Sequence, residues 1–212
     1  VFEHNGDSCS GRNEIIMNIS DEERRLIKEF IKESYAGDKS FISLVRSASE
    51  IPWGEGRKIL DVLRDKKVGT CTGKHLVLQA CMDELGVEYR PVVCTFRWEN
   101  QGINFPEHLK TFFEKDSWVH GHNFVQVKNS ANEWIDLDIT WDSELSKYGF
   151  GVLPDEWSGE YGFVALDIDD RWDGVDIYTK KEELISMLSV EQRKNREEFL
   201  SEFIAWIESI RG

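Results

Sequence analysis

Three side chains in this sequence have the types and settings that covalent acyl chemistry needs: Cys71, His122 and Asp138. Cys71 opens the stretch Thr70-Cys71-Thr72-Gly73-Lys74, after which Leu76, Val77, Ala80, Cys81, Met82 and Leu85 predict a buried helix that stops at Gly86. A cysteine in the first turn of a helix faces the positive end of the aligned peptide dipoles, which favours thiolate over thiol. An imidazole can then accept and return the proton, and a carboxylate on its other nitrogen fixes the tautomer and steadies the imidazolium. The first amides of the helix, that of Cys71 included, point where an oxyanion would form.

Two strands must bring the histidine and the carboxylate together. Alternation over residues 119–127 and 133–140, broken by Lys128-Asn129-Ser130-Ala131-Asn132, predicts a hairpin. With a five-residue loop Val127 faces Glu133, and the antiparallel register then sets His122 opposite Asp138 on one face. A slip of one residue would part them, because side chains alternate faces. Asp136, two residues earlier on the same face, is the competing carboxylate.

The remaining elements follow from caps and periodicity. Ser20-Asp21-Glu22-Glu23 has capping-box form and predicts a helix carrying Leu26, Ile27, Phe30 and Ile31 that ends near Gly37. A short second helix follows Asp38, and Ile59, Leu60, Val62 and Leu63 predict a third helical stretch. Val87 to Trp98 reads as a strand buried on both faces, residues 99–118 as a looser insert, and residues 143–179 as irregular chain with short strands such as Phe163 to Ile168. Val190 to Ile210 reads as an amphipathic helix of about five turns. The fold class expected is α+β, with extra helices at both ends of a nucleophile-bearing helix packed on an antiparallel sheet. The expected organisation is one domain over residues 1–212: a polar lead to about residue 19, a core over 56–142, and an extension with a helix over 143–212.

Three segments taken together resemble the transglutaminase-like superfamily. Val68-Gly69-Thr70-Cys71 through Leu85-Gly86-Val87 is similar to its nucleophile segment, His122-Asn123-Phe124-Val125-Gln126-Val127 to its histidine strand, and Trp134-Ile135-Asp136-Leu137-Asp138-Ile139-Thr140 to its aspartate strand. The resemblance implies a papain-like core, Cys71 as nucleophile, His122 as base and acid, and Asp138 as the orienting residue. Ile139 stands where the family usually has proline, and Asn123-Phe124 where it usually has Ala-Trp. The implied activity is acyl transfer through a thioester. Water as acceptor would give a peptidase or amidase, and an amine would give a transglutaminase or amide synthase. An arylamine acetyltransferase-like enzyme uses the same order of residues, but the Arg-Gly-Gly start expected there is missing. A binding module that kept the scaffold without the chemistry is the rival of another class.

Each site residue has a plainer reading beside it. Cys71 could be a small core residue at a turn, and His122 a core histidine bonded to a carbonyl. Trp118, Trp134 and Trp141 flank the three residues and are the substrate-binding candidates, though aromatic residues on strands are as often core. Phe105, Phe112, Phe113 and Trp118, in the 99–118 insert, are where contacts special to this chain are expected, and Trp53 is a candidate side-chain donor upstream. His120 and His122 lack further ligands at a metal-site spacing, so no metal and no cofactor is expected. Cys81 and Cys94 read as core thiols and Cys9 as a thiol in a polar tail.

Composition bounds the partners. The 212 residues are 40% hydrophobic and 12% aromatic, with 8 Trp and 12 Phe, enough for a sizeable core. A net charge of −14, from 26 Lys and Arg against 40 Asp and Glu, opposes phosphate backbones and anionic lipid, so neither nucleic acid nor membrane is an expected partner. The expected partner is a peptide or a small amide or ester substrate. With no membrane span or leader pattern legible, the provisional localisation is cytoplasmic.

Overall fold

Each long helix begins on a side-chain cap that its sequence announces. The computed structural model describes residues 19–35, 40–115 and 117–211. Cys9 and the breaks expected at Gly37 and Asp38 lie outside the described residues. Ser20 and Glu23 satisfy each other's amides as a capping box at the head of α1, Asp21–Ser34, whose Ile27 and Ile31 are buried. Ser40 caps α2, Phe41–Ser49, by accepting from the Ser43 amide. The third helical stretch ends in a π-helical turn over Asp61–Asp65. Thr70 caps α3, Cys71–Leu85, which ends on Gly86 in the left-handed conformation at φ 68°.

Four antiparallel strands form one sheet in the order β3-β2-β1-β4: β1 is Tyr89–Phe96, β2 His120–Lys128, β3 Trp134–Leu137 and β4 Arg171–Asp173. The chain is therefore α+β. β1 is buried from Val92 to Phe96, as expected of a strand with neighbours on both sides. Leu78 and Met82 of α3 pack with Val125, Val127, Leu137 and Ile139 in one core cluster, which seats α3 against β2 and β3.

The hairpin register differs from the expected one. Val127 pairs with Ile135 and Lys128 with Trp134, so the five-residue loop starts one residue later than expected and the register moves by two. An Asn129–Glu133 bond closes that loop, with Asn132 at φ 63°. A shift of two leaves every side chain on its expected face, which a shift of one would not have done.

Three other expectations are corrected. The 99–118 insert contains a helix, α4, Glu107–Lys115. Residues 163–168 form no strand; Phe163 makes one bridge to Leu137, and the strand that joins the sheet is β4. Between β4 and the last helix lies α5, Ile177–Ser186, capped by Asp176 through the Thr179 amide. The last helix, α6, runs over Val190–Ile210 as expected, with Phe199, Phe203 and Ile207 buried at helical spacing. Those rings join Phe96, Trp98, Phe105 and Trp118 in an aromatic core. Full burial of each is worth roughly 1.5–3 kcal/mol. No described helix is long and apolar enough to cross a membrane.

Candidate functional site

The start of α3 is held by glycines that let backbone approach backbone. A Cβ on Gly73 would sit 2.2 Å from the Gly56 carbonyl oxygen, so a side chain there would push the helix start away from residues 52–56. The Thr70 hydroxyl accepts from the Gly73 amide and the Thr70 amide donates to Gly56. The amides of Cys71 and Thr72 have no intrahelical acceptor, as in any helix's first turn. The Cys71 thiol, half-buried, stands beside them.

Asp138 and His122 meet across the end of the hairpin. The His122 Nε2 lies 2.8 Å from Asp138 Oδ2, with both side chains almost wholly buried. Asp138 is saturated. Its Oδ2 also accepts from the Ala165 amide at 3.2 Å, and its Oδ1 accepts from the Thr140 amide at 3.0 Å and the Thr140 hydroxyl at 2.6 Å. Four donors on a buried carboxylate favour the anion. Burial pushes its pKa up, but the His122 charge and hydrogen bond outweigh burial and hold it well below the usual carboxylate range. The competing carboxylate, Asp136, is taken by Arg171 in a two-pronged ion pair at 2.7 and 2.8 Å and by Gln126.

His75 ties the two halves together. The Ile139 amide donates to its Nε2 at 3.2 Å, so Nδ1 carries the proton and donates to the Cys71 carbonyl at 2.7 Å. Burial lowers its pKa to about 4, so the ring stays neutral in this role. Lys74, fully buried one residue earlier, donates to the carbonyls of Ser49 at 2.8 Å and Thr140 at 3.1 Å, so the loop after β3 is pinned to α3 at two points.

Lys181 of α5 completes the site and was not singled out in the sequence. Its Nζ lies 3.5 Å from Cys71 Sγ, 2.9 Å from Thr72 Oγ1 and 2.6 Å from Asn123 Oδ1, an acceptor for each ammonium hydrogen. Thr72 donates in turn to Asn123 at 2.9 Å. Burial pushes the Cys71 thiol pKa up, but the Lys181 charge and the hydrogen bond and charge of His122 pull it down further, to about 6. His122 is the mirror case: burial lowers it, while the charge and hydrogen bond of Asp138, with Cys71 adding to them, raise it to about 9. Between those values thiolate and imidazolium coexist. Cys81 shows the contrast, since burial alone drives its thiol up to about 12.

A cleft of about 490 Å³ opens on Cys71 and His122. Trp53, Phe96, Trp98 and Trp141 form one wall, and Leu200 and Ile204 of α6 close it. Asp142 anchors that wall, accepting from the Trp53 amide at 2.8 Å and pairing with Arg211 at the end of α6. Of the three tryptophans singled out in the sequence, Trp141 lines the cleft. Trp118 is packed between Phe113 and Phe199, and Trp134 lies under the Arg90 guanidinium at 4.0 Å; neither lines it. Phe105, Phe112 and Phe113 belong to the aromatic core around α6, not to the cleft lining. His120 lines the cleft against the rings of Phe96 and Trp98. Among the described residues no three His, Cys, Asp or Glu side chains gather as metal ligands would.

No family model matches the chain, and no curated protein matches it. Among solved structures it is similar to one described as "Crystal structure of a TGase", at 15% identity and a TM-score of 0.42, over 61% of this chain and 36% of that one. The match spans about a third of that structure's length. A likeness so loose leaves the chemistry to be read from this chain's own side chains.

Proposed function

We propose that the protein is a cysteine-dependent acyl-transfer enzyme in which Cys71 is the nucleophile, His122 the general base and acid, and Asp138 the residue that orients His122. The observation that carries this reading is the half-buried thiol 3.5 Å from the Lys181 ammonium, in one cleft with an imidazole whose Nε2 is held 2.8 Å from a saturated carboxylate. A buried structural cysteine needs none of these partners.

The chemistry follows from the geometry. The Cys71 thiolate attacks the carbonyl carbon of an amide or ester, and the carbonyl π-electrons move to oxygen, toward the free amides at the start of α3. The tetrahedral species collapses as the C–N or C–O bond breaks, and His122 protonates the leaving group from Nδ1, the nitrogen that Asp138 does not hold. The thioester is then attacked by water or an amine. His122 takes the proton of that acceptor, and the sulfur leaves as thiolate, which restores the starting charges. Lys181 stabilises the thiolate at both ends of the cycle.

The test is trapping of the thioester. Incubation with p-nitrophenyl acetate and with an acyl-peptide amide, followed by intact-mass analysis under acid quench, is expected to show an acyl adduct on the parent chain and none on Cys71→Ala. An adduct that persists in Cys71→Ala refutes the assignment.

A further inference from the structure

We propose that the cleft selects a substrate bearing a carboxylate close to the carbonyl that Cys71 attacks, and that Arg57 and Arg196 form the subsite that receives it. This rests on the acyl-transfer reading above and names its substrate class: an acidic peptide or the amide of a dicarboxylic acid.

The chain's charge is −14, yet the cleft, apart from the Cys71–His122 pair, carries three cations, Arg57, Lys181 and Arg196, against Glu55 and Glu182. Two of the five charges are engaged. Lys181 is spent on Cys71, Thr72 and Asn123, and Glu55 pairs with Lys66 at 3.4 Å. What remains is an exposed carboxylate, Glu182, and two guanidinium groups that, among the described residues, have no ion pair. Arg196 is half-buried on α6, the helix whose Phe199 and Phe203 join the aromatic core. Arg57 and Arg196 both line the cleft that opens on Cys71; burial and then the Arg57 charge lower the Arg196 pKa, while the charges of Glu197 and Cys71 act the other way.

A second observation points the same way. Trp98, Trp141 and His120 also line the cleft, and the indole nitrogens of the first two and Nδ1 of the third are buried with no hydrogen-bond partner among the described residues. Two like charges that line one cleft cost free energy, and a ligand carboxylate would answer them. A guanidinium matches a carboxylate with two parallel bonds, and two of them in the lining of a largely apolar cleft fix the orientation of the substrate as well as its charge. The acidic surface elsewhere repels such a substrate, so the cationic cleft is where it would be concentrated.

The test compares two alkylating agents that differ in one group: iodoacetate, an anion, and iodoacetamide, its neutral counterpart. The rate of each at Cys71 is read by peptide mass mapping, and the iodoacetate-to-iodoacetamide ratio is referred to that of 2-mercaptoethanol. Dividing by the iodoacetamide rate removes any change in the thiolate itself. The expected ratio is about tenfold or more above the reference, falling with added salt and falling several-fold in Arg57→Gln and Arg196→Gln. Arg57 is exposed, so Arg57→Gln reports the subsite without a risk to folding. A ratio no higher than the reference, or one that neither variant moves, overturns the proposal while a fast iodoacetamide reaction leaves the acyl-transfer reading standing. A second measurement needs no reactive thiol: tryptophan fluorescence of Cys71→Ser titrated with N-acetyl-glutamate α-amide and with N-acetyl-glutamine α-amide. Tighter binding of the acidic amide, lost in Arg196→Gln, supports the subsite even where Cys71 proves unreactive. Equal binding of both, or binding of inorganic phosphate alone, overturns it.

Discussion

The two walls of the cleft are built on opposite principles. On the side of α3 and β2 the groups around the thiol are answered: Asp138 has four donors, Lys181 three acceptors, and His75 a partner on each nitrogen. On the side of α6 the wall is aromatic, with Phe203 against Trp53, Trp98 and Trp141, and the indole N–H groups of Trp98 and Trp141 are left open. A saturated polar seam is rigid and fixes which atoms are charged. An apolar wall supplies surface to whatever enters. On the proposed function, the difference separates residues that would prepare the chemistry from residues that would receive a ligand, and substitution on each side is expected to leave a different signature.

Asp138→Asn has the largest expected effect. Amide for carboxylate keeps the shape but removes the anion that steadies His122, and turnover of a trapped-thioester substrate is expected to fall by roughly 10²–10⁴. The same variant tests linkage. The folded pKa of Asp138 lies below its unfolded value, so the ionised group contributes stability above about pH 4 that is lost as the pH falls further. Urea unfolding at pH 3 and 7 is expected to show a smaller acid-induced loss in Asp138→Asn than in the parent.

Phe203→Ala acts on the other wall. It removes a ring with no exposure from the centre of the aromatic core and is expected to cost about 3–5 kcal/mol of stability by urea unfolding. The pH dependence of Cys71 alkylation is expected to stay as in the parent. A shift in that profile would mean that the walls are coupled.

His122→Ala and Lys181→Met sharpen the polar side. In the parent, iodoacetamide labelling of Cys71 is expected to rise through about pH 6 and to be nearly level above pH 7, since the thiolate is then fully formed. Without His122 the midpoint moves up toward the ordinary thiol value, and labelling at pH 6 is expected to fall by about two orders of magnitude. Lys181→Met moves the midpoint in the same direction by less, with about a tenfold loss at pH 6. A midpoint unmoved by Lys181→Met would make the ammonium a strut for Thr72 and Asn123 rather than a partner of the sulfur.

What the sequence by itself determined is carried by short-range rules. The Ser20–Glu23 box and the Gly86 stop fall within a few residues of what they specify, and the apolar periodicity of α6 is as local, so α1, α3 and α6 were legible. Strand alternation set the face of His122 and Asp138 even though the register was displaced by two, because the period of a strand is two. α4 and α5 were missed, since a helix of nine or ten residues with few buried positions leaves a weak periodic trace. Only the tertiary structure decided which groups converge from far along the chain. Lys181 reaches Cys71 across 110 positions, the Ala165 amide reaches Asp138 across 27, and Arg196 of α6 comes to line the same cleft as Arg57. It also decided that Trp141 lines the cleft while Trp118, packed between Phe113 and Phe199, does not, as the two residues look alike until the helices are packed. Nothing local marks such pairs, since the free energy that joins them is released only when the helices and sheet bury their apolar faces together.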